Sequence, residues 1–215
     1  MTAYNLLEER RADAAIDQAA SALDAYYEEQ ASTESGGSED SEAPVDSEKE
    51  AEERKELEEL LADRDMPTVT IDGEEYIGEL SVPSLNLKLP ILAEYAYEKL
   101  NIAPCRYSGT VYRNDMVLAG HNYARHFSPL RYLAPGAEID FTDAEHNRYQ
   151  YEITSIEILQ PTQLNVLLDK DDGDWDLSLF TCSIGGRTRH VIRCSRIEQS
   201  AGEESSGQEV TDTED

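Results

Sequence analysis

The sequence predicts a mainly β domain, a closed barrel or a sandwich, preceded by a helical extension. Six short runs rich in β-branched and aromatic residues recur between about Pro67 and Gln199: Tyr76 to Val82, Met116 to Ala119, Ala137 to Thr142, Tyr149 to Ile158, Leu177 to Cys182 and His190 to Ile197. Gly, Pro, Asn and Asp separate them, as the turns between strands require. The 215 residues hold their apolar side chains so unevenly that this stretch alone has the material for a core, so one domain is expected.

Along the chain, Tyr4 to Gln30 has neither Gly nor Pro, and Ile16, Ala19, Ala20, Leu23 and Tyr27 recur at helical spacing. A helix over 1–30 follows, read as an exposed stalk or spacer that carries no chemistry. Residues 31–50 are Ser, Glu, Gly and Asp with scarcely an apolar side chain, a composition that cannot offset the entropy of ordering a backbone. They are read as a flexible acidic linker. Residues 51–66 return to helical composition, with Leu57, Leu60 and Leu61 near the end and Pro67 stopping the pattern. In the domain at 67–199, the Tyr149 to Leu159 stretch breaks strict alternation, which predicts a bulge near Ser155. Helical turns are expected at Glu94 to Leu100, His126 to Leu133 and Thr162 to Leu168. Residues 200–215 are acidic and polar without a basic side chain, a disordered tail by composition.

The net charge of −28, from 46 acidic and 18 basic residues, repels phosphate backbones, so nucleic acid is excluded as a partner. No run of about 18 apolar residues spans a membrane or opens the chain as a secretory signal. Three cysteines, Cys105, Cys182 and Cys194, are too few for a disulfide scaffold and leave at least one thiol free in a monomer. Pairing of Cys105 with Cys194 in an oxidising compartment stays open. Asp169, Asp171, Asp172, Asp174 and Asp176 crowd one loop and could hold calcium, but the closing bidentate Glu of a calcium loop is missing. A solvated loop is the preferred reading and no cofactor is expected.

Cys182 ends the apolar strand Leu177 to Phe180 and is followed by Ser183 and the Gly185-Gly186 pair, a setting for a reactive thiol. Thiol chemistry needs a thiolate, which a nearby imidazolium or guanidinium favours. His121 follows Met116 to Gly120 and is expected at a strand end. Arg189 enters the last strand seven residues after Cys182, near enough in a hairpin to return its guanidinium to the thiol, and Arg193 shares that face by alternation as its rival. A thiolate attacking an amide creates an oxyanion that Arg stabilises, while His protonates the leaving amine and deprotonates the incoming one.

Leu179-Phe180-Thr181-Cys182 resembles the Leu-x-Thr-Cys active-site motif of sortases, and His190 to Ile197 resembles their last strand. Ile77-Gly78-Glu79-Leu80-Ser81-Val82-Pro83 with Leu85 to Ile91 is similar to their first strands, and Ala119-Gly120-His121-Asn122 to their catalytic-histidine motif. The resemblance implies an eight-stranded sortase barrel with short helices. It implies Cys182 as nucleophile, His121 as acid and base, Arg189 as oxyanion residue, and Thr181 and Asn122 at the substrate pocket. Arg189 is preferred to Arg193 because the family's arginine precedes a short apolar stretch, here Val191-Ile192. The implied activity is cleavage of a sorting motif in a surface protein through a thioacyl intermediate, with transfer to a peptidoglycan or pilin amine. The alternative is a non-catalytic barrel module with a structural thiol. The short Cys182 to Arg189 connection favours a class B-like or class D-like enzyme over class A. Class C pilin sortases carry an Asp-Pro-aromatic lid; none occurs before Ile77, so anchoring is expected rather than polymerisation. The resemblance further implies the outer face of a Gram-positive membrane and a membrane anchor preceding this chain, with the first helix as its juxtamembrane stalk.

Overall fold

The computed structural model describes residues 3–34, 64–170, 175–182 and 187–197. Most of the expected linker and of the short helix over 51–66, Asp171, Asp172 and Asp174, and the acidic tail lie outside the described residues. The chain begins with helix α1 (Ala3–Glu34), followed by β1 (Val69–Ile71), β2 (Glu74–Val82), β3 (Leu87–Leu92), β4 (Cys105–Ser108) and β5 (Met116–Gly120). Then come β6 (Glu138–Asp143), β7 (Arg148–Leu159), the short helix α2 (Leu164–Leu168), β8 (Leu177–Cys182) and β9 (Arg189–Arg196). Short 3-10 turns at Lys99–Asn101 and Ser128–Tyr132, together with α2, occupy the three places where helical turns were expected.

The strands run in the order β1-β2-β3-β4-β5-β8-β9-β7-β6, and β6 pairs back onto β2. That pairing closes β2 to β9 into the expected eight-stranded barrel, while β1 pairs with β2 alone and stays outside the ring. Closure depends on Gly78: a Cβ there would stand 1.9 Å from the Thr142 carbonyl oxygen, and the residue has φ +144. Only glycine lets β6 approach β2 so closely. Neighbouring strands are antiparallel except β3–β4 and β5–β8, which are parallel. The interior is filled by Ile77, Leu80, Leu89, Ile91, Met116, Leu118, Phe141, Tyr151, Leu179 and Ile192. The bulge expected near Ser155 is present: the β7–β9 register shifts between Ile153 and Ser155, and the Thr154 hydroxyl donates to the Arg193 carbonyl at 3.1 Å.

Two differences from the sequence reading concern packing. First, α1 is docked on the barrel and is no exposed stalk. Ala12, Ile16, Ala19, Leu23 and Tyr27 form one buried stripe along it, and Ile16 and Ala19 belong to the main core. Tyr27 donates to the Asp143 carbonyl at 3.0 Å and stacks on His146 with centroids 4.6 Å apart. Burial of a large apolar side chain contributes roughly 1.5–3 kcal/mol, whereas an exposed pair such as Lys88–Asp24 gives under about 1 kcal/mol. The apolar stripe therefore fixes the helix, and the charges set its alignment. Second, Cys105 and Cys194 are buried free thiols, so the pairing left open does not form. They sit on β4 and β9, three inter-strand spacings or about 14 Å apart along the sheet, beyond the reach of a disulfide.

Candidate active site

The parallel pairing of β5 and β8 brings two chemical groups to one end of the barrel. Gly120 is the Cα partner of Thr181, so His121 and Cys182 follow at the same end of neighbouring strands. On the other side of β8, Cys182 is the Cα partner of Arg189. Side chains directly opposed on antiparallel strands share a face, with Cβ atoms about 4.5–5.5 Å apart. One sheet edge thus gathers an imidazole, a thiol and a guanidinium. Cys182 is half-buried, unlike the two fully buried cysteines.

Arg193 is occupied elsewhere. It pairs with Ser178, four residues back along β8 and so about 13 Å from Cys182. Its guanidinium donates to the Leu167 carbonyl (2.9 Å), the Val166 carbonyl (2.7 Å) and the Ser178 hydroxyl (3.0 Å). It also lies 4.7 Å from the Trp175 ring centroid, and burial holds its pKa down. These contacts tie α2 to the barrel. Of the two arginines, only Arg189 stands beside the thiol.

His121 is half-buried, and its Nε2 has no hydrogen-bond partner among the described residues. Burial lowers its pKa from the usual value, which favours the neutral imidazole. The ring is held by aromatic contacts: Tyr123 at 4.6 Å and Tyr97 nearly perpendicular at 5.9 Å between centroids. The loop behind it folds back, with the Phe127 amide donating to the His121 carbonyl at 3.1 Å. A Cβ on Gly120 would meet the Phe127 ring at 2.6 Å, so the glycine before the histidine is what lets this loop close. Asn122 is half-buried next to His121. Thr181 is buried and its hydroxyl lacks a partner among the described residues. Strand alternation turns it to the face opposite Cys182, so it supports the site from behind.

The sequence reading placed a helical turn between β3 and β4 but gave that segment no part in the site. Tyr95 meets Tyr107 edge to face at 5.0 Å, and Tyr107 meets Phe180 at 5.3 Å. Phe180 is two residues before Cys182 on the same face, so a line of aromatic rings runs up to the thiol. The only signal was the pair of tyrosines in a polar stretch, Tyr95 and Tyr97, which remain 41% and 67% exposed. No group of three or more metal-ligating side chains occurs among the described residues. Asp176 instead accepts from the Arg196 amide at 2.7 Å.

The family model for the sortase domain matches residues 80–197. A sortase A of Bacillus anthracis is 28% identical over 123 residues, which is 55% of this chain and 57% of that protein, so the chain spans little more than half the length of that relative. Among solved structures, the pilus-related sortase C of Group B Streptococcus superposes with a TM-score of 0.52 at 23% identity, covering 71% of this chain and 91% of its own. Sortase C from Clostridium perfringens SM101 gives 0.53 at 20% identity, covering 83% and 99%. The family match runs from within β2 through β9 and takes in the motifs that bring His121, Cys182 and Arg189 to one edge, and the chain belongs to the sortase family.

Proposed function

We propose that this chain is a cysteine transpeptidase that cleaves a sorting motif in a surface protein and transfers the new acyl end to an amine. The observation that carries the reading is the Cys182–Arg189 cross-strand pair, next to the strand end from which His121 emerges. The Cys182 thiol passes its proton to His121, and the thiolate so formed attacks the carbonyl carbon of the scissile amide, moving the negative charge to the carbonyl oxygen. Arg189 stabilises that oxyanion, a role worth roughly 3–4 kcal/mol for one well-placed donor. The C–N bond then breaks to leave a thioester on Cys182, and the leaving amine takes a proton from His121. An incoming amine gives its proton to the now neutral His121, attacks the thioester carbonyl and releases the Cys182 thiolate, which restores the thiolate–imidazolium pair. Asn122 flanks the histidine, and Thr181 shapes the pocket from beneath the strand.

The amine belongs to peptidoglycan or to a pilin, and the working location is the outer face of a Gram-positive membrane. No described helix is long and apolar enough to cross a membrane. The short β8–β9 connection supports a class B-like or class D-like enzyme. Half-burial of Cys182 also speaks against the non-catalytic alternative, because a purely structural thiol would be enclosed like Cys105 and Cys194. Quenched Leu-Pro-x-Thr-like and Asn-Pro-x-Thr-like peptides, with an added amine, test the reading. Cleavage by the wild type and none by Cys182→Ala is expected; equal cleavage by both would refute it.

A further inference from the structure

We propose that α1 acts as a strut for the catalytic histidine, with Glu9, Asp17 and Arg125 as positioning residues for His121. The proposal rests on the reading of His121 as the acid and base of the transfer.

Three acidic side chains of α1, Glu9, Asp13 and Asp17, recur every four residues and so form one stripe along the helix. That stripe faces the turn immediately after His121. The Glu9 carboxylate accepts from the Ala124 amide at 3.0 Å. Both Asp17 carboxylate oxygens pair with the Arg125 guanidinium, Nη1 to Oδ2 at 2.8 Å and Nη2 to Oδ1. Arg125 also acts electrostatically on Asp13, between them. The buried Ala12 and Ile16 hold this end of the helix against the barrel. Farther along, Gln18 donates to Asp72 at 2.6 Å, and Tyr27 is bonded to the carbonyls of Thr142 and Asp143. The helix is thus fixed to three separate parts of the barrel and offers a rigid support.

The turn it holds is tight. The amides of His126 and Ser128 both donate to the Tyr123 carbonyl, at 3.1 and 3.3 Å, and the Phe127 amide donates to the His121 carbonyl. The Tyr123 ring lies against the His121 imidazole at 4.6 Å. A shift at Ala124 or Arg125 is therefore passed through Tyr123 to the ring that must meet both thiol and amine. The Ala124 amide accounts for one backbone donor of this exposed turn, and the Asp17–Arg125 fork fixes its direction; a bidentate pair gives geometry as well as energy. Both contacts are solvent-exposed, so each is expected to alter the rate by about twofold to fivefold, the upper part of the range of an exposed pair.

The test compares the wild type, Glu9→Ala, Asp17→Asn, and the charge swap Asp17→Arg with Arg125→Asp, all in the full chain. Steady-state cleavage of the best sorting-motif peptide is measured below the melting range, together with the His121 ring resonances by NMR at fixed pH. The expected result is kcat lowered about twofold to fivefold in Glu9→Ala and Asp17→Asn, with KM within about twofold. His121 resonances should be displaced, and the swap should restore both. Unchanged kcat, or a loss that the swap does not rescue, would overturn the proposal. If the wild type cleaves no peptide, the transpeptidase reading fails and NMR alone decides: His121 displaced in Asp17→Asn and returned by the swap sustains the strut, and an unmoved His121 ends it.

Discussion

The Phe127 ring fills the space that a side chain on Gly120 would occupy: a Cβ there would stand 2.6 Å from two ring carbons. Phe127 is fully buried and its amide holds the His121 carbonyl. Gly120→Ala therefore cannot be absorbed without moving the loop that carries the imidazole. Overpacking of this kind costs about 1–3 kcal/mol. The loss of peptide cleavage should exceed what that destabilisation explains, since the displaced residue is the proposed acid and base. Urea melts and cleavage assays on the same protein check this; unchanged activity in a folded variant would contradict it.

Arg189 and Arg193 are expected to give opposite results on substitution. Arg189→Ala should lower kcat/KM for cleavage by about 10²- to 10³-fold, the loss of the proposed oxyanion donor, with little change in melting. Arg193→Ala removes three hydrogen bonds to Val166, Leu167 and Ser178 and the contact with Trp175. Each buried acceptor left unpaired costs about 1–3 kcal/mol, so thermal stability should fall clearly while the folded fraction keeps its chemistry. Thermal denaturation and cleavage kinetics on both variants separate the roles, and a reversal would move the oxyanion site to Arg193.

The barrel was legible because its longer strands carry β-branched and aromatic runs, and the bulge at Ser155 showed as a break in alternation. β1, β3 and β4 were not read as strands from composition. β3 contains Pro90, and β1 and β4 are only three and four residues long, so pairing with neighbours and not propensity defines them. The docking of α1 was invisible because its buried stripe includes two alanines, Ala12 and Ala19, which are equally compatible with an exposed helix. At the site, Cys182, His121 and Arg189 could be chosen from motif order. The parallel register that sets Gly120 beside Thr181, and the arrival of Tyr97 at His121, depend on long-range pairing that no local pattern encodes.

His126 should make the fold sensitive to mild acid. It is fully buried, neither ring nitrogen has a partner among the described residues, and burial, then the nearby His121 and Arg125, lower its pKa to about 3. In the unfolded chain it titrates near 6.5. As pH falls below that value the unfolded state takes up a proton that the folded state refuses, so stability is lost from about pH 6.5 down to about pH 3. Between pH 7 and pH 5 the loss from this residue is about 2 kcal/mol. Urea melts of the wild type and His126→Phe across this range should differ by that slope; parallel curves would show that the residue is not neutral in the native state.

Tyr97 is the exposed wall of the histidine site, and its removal should change the titration of His121 in a definite direction. Burial alone lowers the pKa of His121, with no opposing charge among its causes. The Tyr97 ring, at 5.9 Å and nearly perpendicular, supplies part of that cover from the β3–β4 segment. Tyr97→Ala admits water and should raise the His121 midpoint toward about 6.5, whereas Tyr97→Phe keeps the ring and should leave it in place. The fraction of neutral imidazole at a given pH then falls in the alanine variant, so on the proposed mechanism the step that needs the base, attack of water or an amine on the thioester, should slow relative to thioester formation. NMR titration of the His121 ring and the steady-state fraction of enzyme held as the thioester measure the two effects independently. A midpoint that stays fixed in Tyr97→Ala would mean that the cover over His121 comes from Tyr123 and the barrel edge alone.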